Sequence, residues 1–177
     1  MQTLTLLRRQ VRDAHALLDR TVEALDSAAL EWGPPGTANP IGATLAHVAV
    51  AEDVIVHAVL RGMAPLHATA WHGRTGLSEP MPMPGPEWSG YAAWTRRVRV
   101  DADSLRAYAR AVFAATETYL DSIQPDALDR ELDLSAMGRG VETVGWAIGR
   151  LVAGHCDNIT GEIACLKGLQ GLGGYGA

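Results

Sequence analysis

Apolar residues recur at alternating steps of three and four through four separate stretches of this chain. Leu4, Leu7, Val11, Ala14, Leu18, Val22 and Leu25 form the first stripe, which predicts an amphipathic helix over residues 3–26. Arg8, Arg9 and Arg12 fall largely off it and read as a solvated basic turn. The run EWGPPG at residues 31–36 cannot continue a helix. A second helix is expected over 40–61, with Asn39 as its cap, Pro40 in its first turn and Gly62 as its stop. Leu105, Tyr108, Val112, Tyr119, Leu120 and Ile123 predict a third over 101–124, begun by Asp101 or Asp103 and ended by Pro125. Val144, Ile148, Leu151, Val152, Ile159, Ile163 and Leu166 predict a fourth over 141–170.

Residues 62–100 are rich in Gly and Pro, with Pro80, Pro82, Pro84 and Pro86 nearly alternating. They read as a long irregular connection carrying a short helix around 91–97. No stretch sustains strand alternation, and there is no internal repeat or domain break. The expectation is one all-α domain over 1–177, a four-helix bundle. Short loops force antiparallel neighbours, whereas a long crossover between helices two and three permits a parallel pair. The order up-down-down-up follows.

The 177 residues suffice for a sizeable core, and 47% apolar with 20% charged is an ordinary globular composition. A net charge of −5 gives no general attraction to nucleic acid or anionic lipid. The most apolar stretch, 41–60, carries His47, Glu52, Asp53 and His57, and on that ground reads as a core helix and not a membrane span. The N-terminus reads as a helix start and not a signal peptide. Cys156 and Cys165 lie on opposite faces of one helix, about 13.5 Å apart along its axis, too far for a disulfide. Two free thiols point to a reducing cytoplasm.

The six histidines include His47 and His155, each inside an apolar helical pattern. Such a histidine needs hydrogen-bond partners or a metal, and a satisfied core or cleft histidine is the commoner outcome. There is no HExxH, CxxC, nucleotide-binding glycine loop or nucleophile elbow, so any site is assembled across helices. Glu52 and Asp53 read as partners for a neighbouring helix in preference to orienters of a ligand. Trp32, Trp71, Trp88 and Trp94 lie near loops and read as covers over the end of the core. Arg96, Arg97 and Arg99 are too short a run for a nucleic-acid site.

The stretches TANPIGATLAHVAVAED and GHCDNITGEIACLKGLQGLGG, with WGPPGTANP, AWHGRTGL and LRAYARAVFAATETYLDSIQPDALDREL, resemble those of the DinB-like family in the same order along the chain. The resemblance implies a four-helix bundle with a long second crossover. It also implies a divalent metal, such as zinc or nickel, between helices two and four, held by three histidines. His47 matches the helix-two ligand and His155 the first helix-four ligand. The remaining ligand position holds Ile159, which has no donor atom, and Glu162 stands where the family commonly has Gln. Replacement donors would be Asn158, a weak zinc ligand, or His67 or His72 from the crossover; Asp157 should point elsewhere.

Two classes of function follow. In one, the chain is a DinB-like protein with an incomplete metal site that binds a small molecule or serves as a scaffold. In the other, it is a metal-dependent enzyme using His47 and His155, either a thiol transferase or isomerase, as some relatives are, or a hydrolase with Glu52 or Glu162 as base. The resemblance also implies a homodimer.

Overall fold

The computed structural model describes residues 3–82 and 90–175. Trp88, Pro84 and Pro86 lie outside the described residues. The protein is mostly helical. The first stripe forms α1, Thr3–Val22. It ends four residues earlier than its pattern suggests, because Asp26 caps a separate short helix, α2, Ser27–Glu31, by accepting from the Ala29 N–H. Helix α3 spans Ile41–Asp53 and continues as a π-helical segment over Val54–Leu60. Pro40, not Asn39, is its capping residue, and no side chain caps it. Gly62, at φ 64°, ends it in the left-handed region that suits glycine.

The crossover carries α4, Tyr91–Arg97, and leads into α5, Ala102–Ser122. Asp101 caps α5 through the Ser104 N–H. The predicted fourth helix does not begin at Val141. Val141–Thr143 is a strand, β2, paired antiparallel with β1, Glu131–Asp133, so that Leu132 faces Glu142. The helix starts behind a Thr143 cap as α6, Val144–Ala147, passes through a π-helical segment over Ile148–Ala153, and ends as α7, Gly154–Leu169.

Helix α1 packs on α5 and α7, and α3 packs on the same two. Two apolar clusters fill the space between them. One gathers Leu18, Leu45, Trp94, Leu105, Tyr108 and Ile163; the other gathers Leu4, Val11, Val56, Leu120, Val144 and Ile148. By length and composition alone, Ile41–Leu60 is apolar enough to cross a membrane, contrary to the expectation from its four polar residues. Yet 72% of its most apolar window is buried within the protein, and Glu52 and Asp53 are buried with it.

The basic turn of α1 is not simply solvated. Arg8 donates from Nε to the Leu120 carbonyl at 2.8 Å and from Nη2 to the Ile123 carbonyl at 3.1 Å. It thereby caps the carbonyl end of α5 with a cation, as the helix dipole favours. Arg12 forks onto the Asp121 carboxylate at 2.8 and 2.7 Å. Trp94 is fully buried and Trp71 packs on the same cluster, so both cover the core as expected.

Gly76 fixes the crossover to the start of α5. Its carbonyl accepts the Asp101 N–H at 2.8 Å, and its φ is 78°. A Cβ there would stand 2.6 Å from the Leu105 backbone nitrogen and 2.8 Å from the Asp101 carbonyl oxygen. Gly76→Ala should therefore lower stability by about 2 kcal/mol, from backbone strain and this clash together. Denaturant unfolding would measure it, and an unchanged midpoint would contradict the argument.

Candidate functional site

Helices α3 and α7 bring His47 and His155 together. The ring centroids are 5.0 Å apart and the planes are nearly perpendicular, at 86°. Tyr91 of α4 meets His47 edge-on at 5.4 Å. Burial, with the charge of a protonated His155 added, holds the His47 imidazole down to about 4. Burial also lowers His155; Glu52 pulls the other way and Arg150 adds to the lowering. Both rings are therefore neutral near pH 7.

The two rings line a cleft of about 240 Å³. Its apolar wall comes from Ala51, Val54, Ile55, Met81 and Leu151, and its polar edge from Asn158, Arg139 and Arg150. Val54 and Ile55 belong to one π-helical segment, and Arg150 and Leu151 to the other. A π turn inserts an extra residue and re-aims the side chains around it, and such turns are frequent at functional sites. Here both helices that hold the histidines carry one beside the cleft.

The donor set does not fit the three-histidine metal centre that the resemblance implies. Ile159 is 8% exposed and packs in the first apolar cluster. Asn158 lines the cleft but is an amide. Asp157 is exposed, as expected. The crossover histidines are elsewhere: His67 binds Asp53, and His72 is exposed on a second cleft of about 430 Å³ with Ser78 and Glu79. Among the described residues, no group of three or more His, Cys, Asp or Glu side chains is placed to hold a metal ion. Catalytic zinc takes three protein ligands, so two imidazoles fall one short. The nearby guanidinium of Arg150 disfavours a cation further.

Neither candidate base serves this cleft. Glu162 is exposed and outside its lining, although its charge, after burial, helps raise the Tyr91 hydroxyl to about 12. Glu52 is buried and already engaged. One of its oxygens accepts from Thr116 Oγ1 at 2.6 Å, and His15 Nε2 approaches its carboxylate at 3.0 Å. His15 Nδ1 lies 3.1 Å from Glu117, and its ring stacks on Phe113 with centroids 4.2 Å apart. Cys156 is buried, its thiol pushed up chiefly by desolvation, while Cys165 is exposed; neither forms a disulfide. A buried thiol held protonated is not a nucleophile.

His15 escaped the sequence reading, yet a signal was present: it lies four residues after Val11 and three before Leu18, on the buried stripe. With carboxylates at both ring nitrogens, it donates from both as an imidazolium. Desolvation lowers its pKa, but Glu52 and Glu117 together outweigh that and leave it raised. Arg12, 3.6 Å from Glu117, is the other charge facing this group. A folded-state pKa above the unfolded value near 6.5 means stability that is complete below 6.5 and lost as pH rises through the folded value. The stability difference between wild type and His15→Phe should therefore be larger at pH 6 than at pH 9. A difference independent of pH would contradict the imidazolium.

Asp53 anchors a second buried network. It accepts from the Leu66 and His67 N–H groups at 2.8 and 2.9 Å, from His67 Nδ1 at 2.9 Å and from the Tyr108 hydroxyl at 2.7 Å. His57 Nδ1 stands 2.9 Å from its other oxygen. Burial opposes the charge, but His67, Leu66 and Tyr108 hold the carboxyl below its usual range. Glu52 and Asp53 thus fasten the protein together, the structural role expected of them. Asp53 also ties the crossover to α3 and α5 behind the cleft.

The profile of the DinB superfamily matches residues 10–158. Among solved structures, the chain is similar to the crystal structure of the conserved protein of locus from Enterococcus faecalis. The two share 19% identity and a TM-score of 0.75, covering 96% of this chain and 97% of that one. At that identity the likeness shows the fold alone. Comparison with the curated proteins finds no match.

Proposed function

The chain belongs to the DinB superfamily, and from that premise we propose that it is a member with an incomplete metal site whose cleft between α3 and α7 binds a small organic molecule. The observation that carries this reading is the cleft itself. Two neutral imidazoles and an amide sit at one side of a largely apolar wall, where the resemblance would place a metal, and among the described residues no third ligand joins them. Apolar lining with a few convergent polar groups is the usual character of a small-molecule site. For the alternative, a metal-dependent thiol transferase, isomerase or hydrolase, the described residues supply neither a third ligand nor a base at the cleft.

We read the architecture as one four-helix bundle in up-down-down-up order. Support comes from how the helices pass between the two apolar clusters. Leu4 and Val11 of α1 share one cluster with Leu120 near the end of α5 and with Val56 and Leu60 beyond α3. Leu18 and Val22 share the other with Ile41 and Leu45, Leu105 and Tyr108, and Ile163 and Leu166. That order suits α1 and α7 running against α3 and α5.

The test of the binding reading is an isotope-edited NMR titration with 3-phenylpropionate and with its neutral amide. Shift changes are expected at His47, Ala51, Leu151 and His155. Ala51→Trp, which fills the cleft, should abolish them. Changes absent for both molecules, or unaltered in Ala51→Trp, would sink the reading.

A further inference from the structure

The charges around the cleft are one-sided. The protein carries 20 acidic and 15 basic residues, yet among the described residues the cleft is lined by two arginines and no carboxylate. Some arginines elsewhere meet acids: Arg12 binds Asp121, Arg97 binds Glu79, Arg106 binds Asp103 and Arg110 binds Asp19. Among the described residues, Arg139 and Arg150 have no such partner. Both are exposed, and both line the cleft.

Arg139 is held there by its backbone. It lies in the turn between β1 and β2, flanked by Gly138 and Gly140 at φ 71° and 70°. Its N–H donates to the Leu134 carbonyl at 3.1 Å, and the Leu134 N–H donates to the Gly140 carbonyl at 2.7 Å. Arg150 comes from the π-helical segment on the opposite chain stretch. Two arginines from separate segments therefore line one cleft. Guanidinium pairs the planar carboxylate group in fork geometry, and more strongly where apolar surface excludes water.

We infer that the cleft takes a small organic carboxylate, its apolar body against Val54, Ile55, Met81 and Leu151 and its carboxylate at Arg139 and Arg150. The inference rests on the small-molecule reading above and adds the ligand's charge. The size is consistent: a cavity of about 150 Å³ holds benzene, and this one is about 240 Å³, enough for a ring with a short acidic arm.

Titration calorimetry of the full chain with 3-phenylpropionate and 3-phenylpropionamide separates the two claims, because these probes share a body and differ in charge. The acid should bind about tenfold more tightly than the amide at low salt, the size expected of charge-assisted hydrogen bonds. That advantage should shrink as salt screens the exposed guanidinium groups. Arg139→Gln and Arg150→Gln, at exposed positions, should each weaken the acid toward the amide's affinity and weaken the amide less. Equal binding of acid and amide by wild type would overturn the carboxylate inference and leave the cleft reading standing. So would arginine variants that keep the acid's full advantage. Binding of neither probe, or binding that survives Ala51→Trp, would overturn the cleft reading and this inference with it.

Discussion

Asp53→Ala is expected to lower stability by about 3–5 kcal/mol, the cost of removing one partner from a buried charged network. At this chain length that is a fall of about 6–20 °C in melting temperature. The size follows from what is left behind. The buried Tyr108 hydroxyl would lose its acceptor and buried His57 would keep only the residue 53 carbonyl at 3.2 Å, while Leu66 and His67 would lose the groups that hold the crossover. Asp53→Asn should be nearly as costly. An amide presents one oxygen, and its NH₂ would face donors where the second carboxylate oxygen now accepts from His67 and Tyr108. The pH dependence has a definite sign. The folded carboxyl titrates below its ordinary value of 3.8, so its contribution is present above 3.8 and lost as pH falls through the lower folded value. The gap between wild type and Asp53→Ala should thus narrow in acid. Thermal melts and denaturant titrations measure both effects. A neutral-pH loss below about 1 kcal/mol in both variants would show that the network is not what fixes the crossover.

Much of this fold is legible in the pattern of apolar residues. Leu4, Leu7, Val11, Ala14, Leu18 and Val22 are all buried along one side of α1, and Leu105, Tyr108 and Val112 do the same on α5. Steps of three and four need only local geometry, so a single sequence carries them. The short β pair was not legible. Three residues per strand are too few to show alternation, and β2 ends where the helical stripe of Val144 begins, so Val141 looked like its first member. Nor were the π-helical segments. A π turn absorbs one extra residue, and because Val54, Ile55 and Val56 are apolar in every register the stripe shows no break there.

The site divides along the same line. His47 and His155 were identified from their apolar settings and from a resemblance, and the structure sets their rings in contact. The other half of the cleft comes from segments whose paths no periodicity dictates: Met81 from the crossover, Met137 and Arg139 from the turn between the strands. The clasp on Asp53 shows the boundary well. His57 lies four residues after Asp53 on the same helix, a spacing that marks an acid–base pair in sequence. His67 reaches the same carboxylate from a loop, where sequence distance says nothing about approach. Its use there also keeps His67 away from His47 and His155.

Ile159→His should raise the metal affinity of the cleft above that of the wild type. In the metal-free protein the substitution should cost about 2–4 kcal/mol. It removes a well-packed apolar side chain, 8% exposed, and places an imidazole in its stead without an assured partner. The same position is one helical turn beyond His155, so the new ring projects from the face that already bears a histidine opposite His47. Three nitrogens would then surround one point and leave a coordination position open, the arrangement of catalytic zinc sites. Zinc at about a hundred times its dissociation constant adds about 2.7 kcal/mol to stability. The metal should therefore return much of what the substitution takes away. The experiment is a zinc titration of untagged wild type and variant by calorimetry, with melts across the same concentrations. The wild type should bind weakly and its melting temperature should stay fixed, whereas that of the variant should start lower and climb with zinc. Equal, tight binding by both would mean that the wild type completes its ligand set with a group outside the His47–His155 pair, contrary to the donor set described above. Binding by neither would mean that the two rings, though in contact, cannot turn their nitrogens toward a common ion, and that the position where the resemblance would place a metal is closed by geometry.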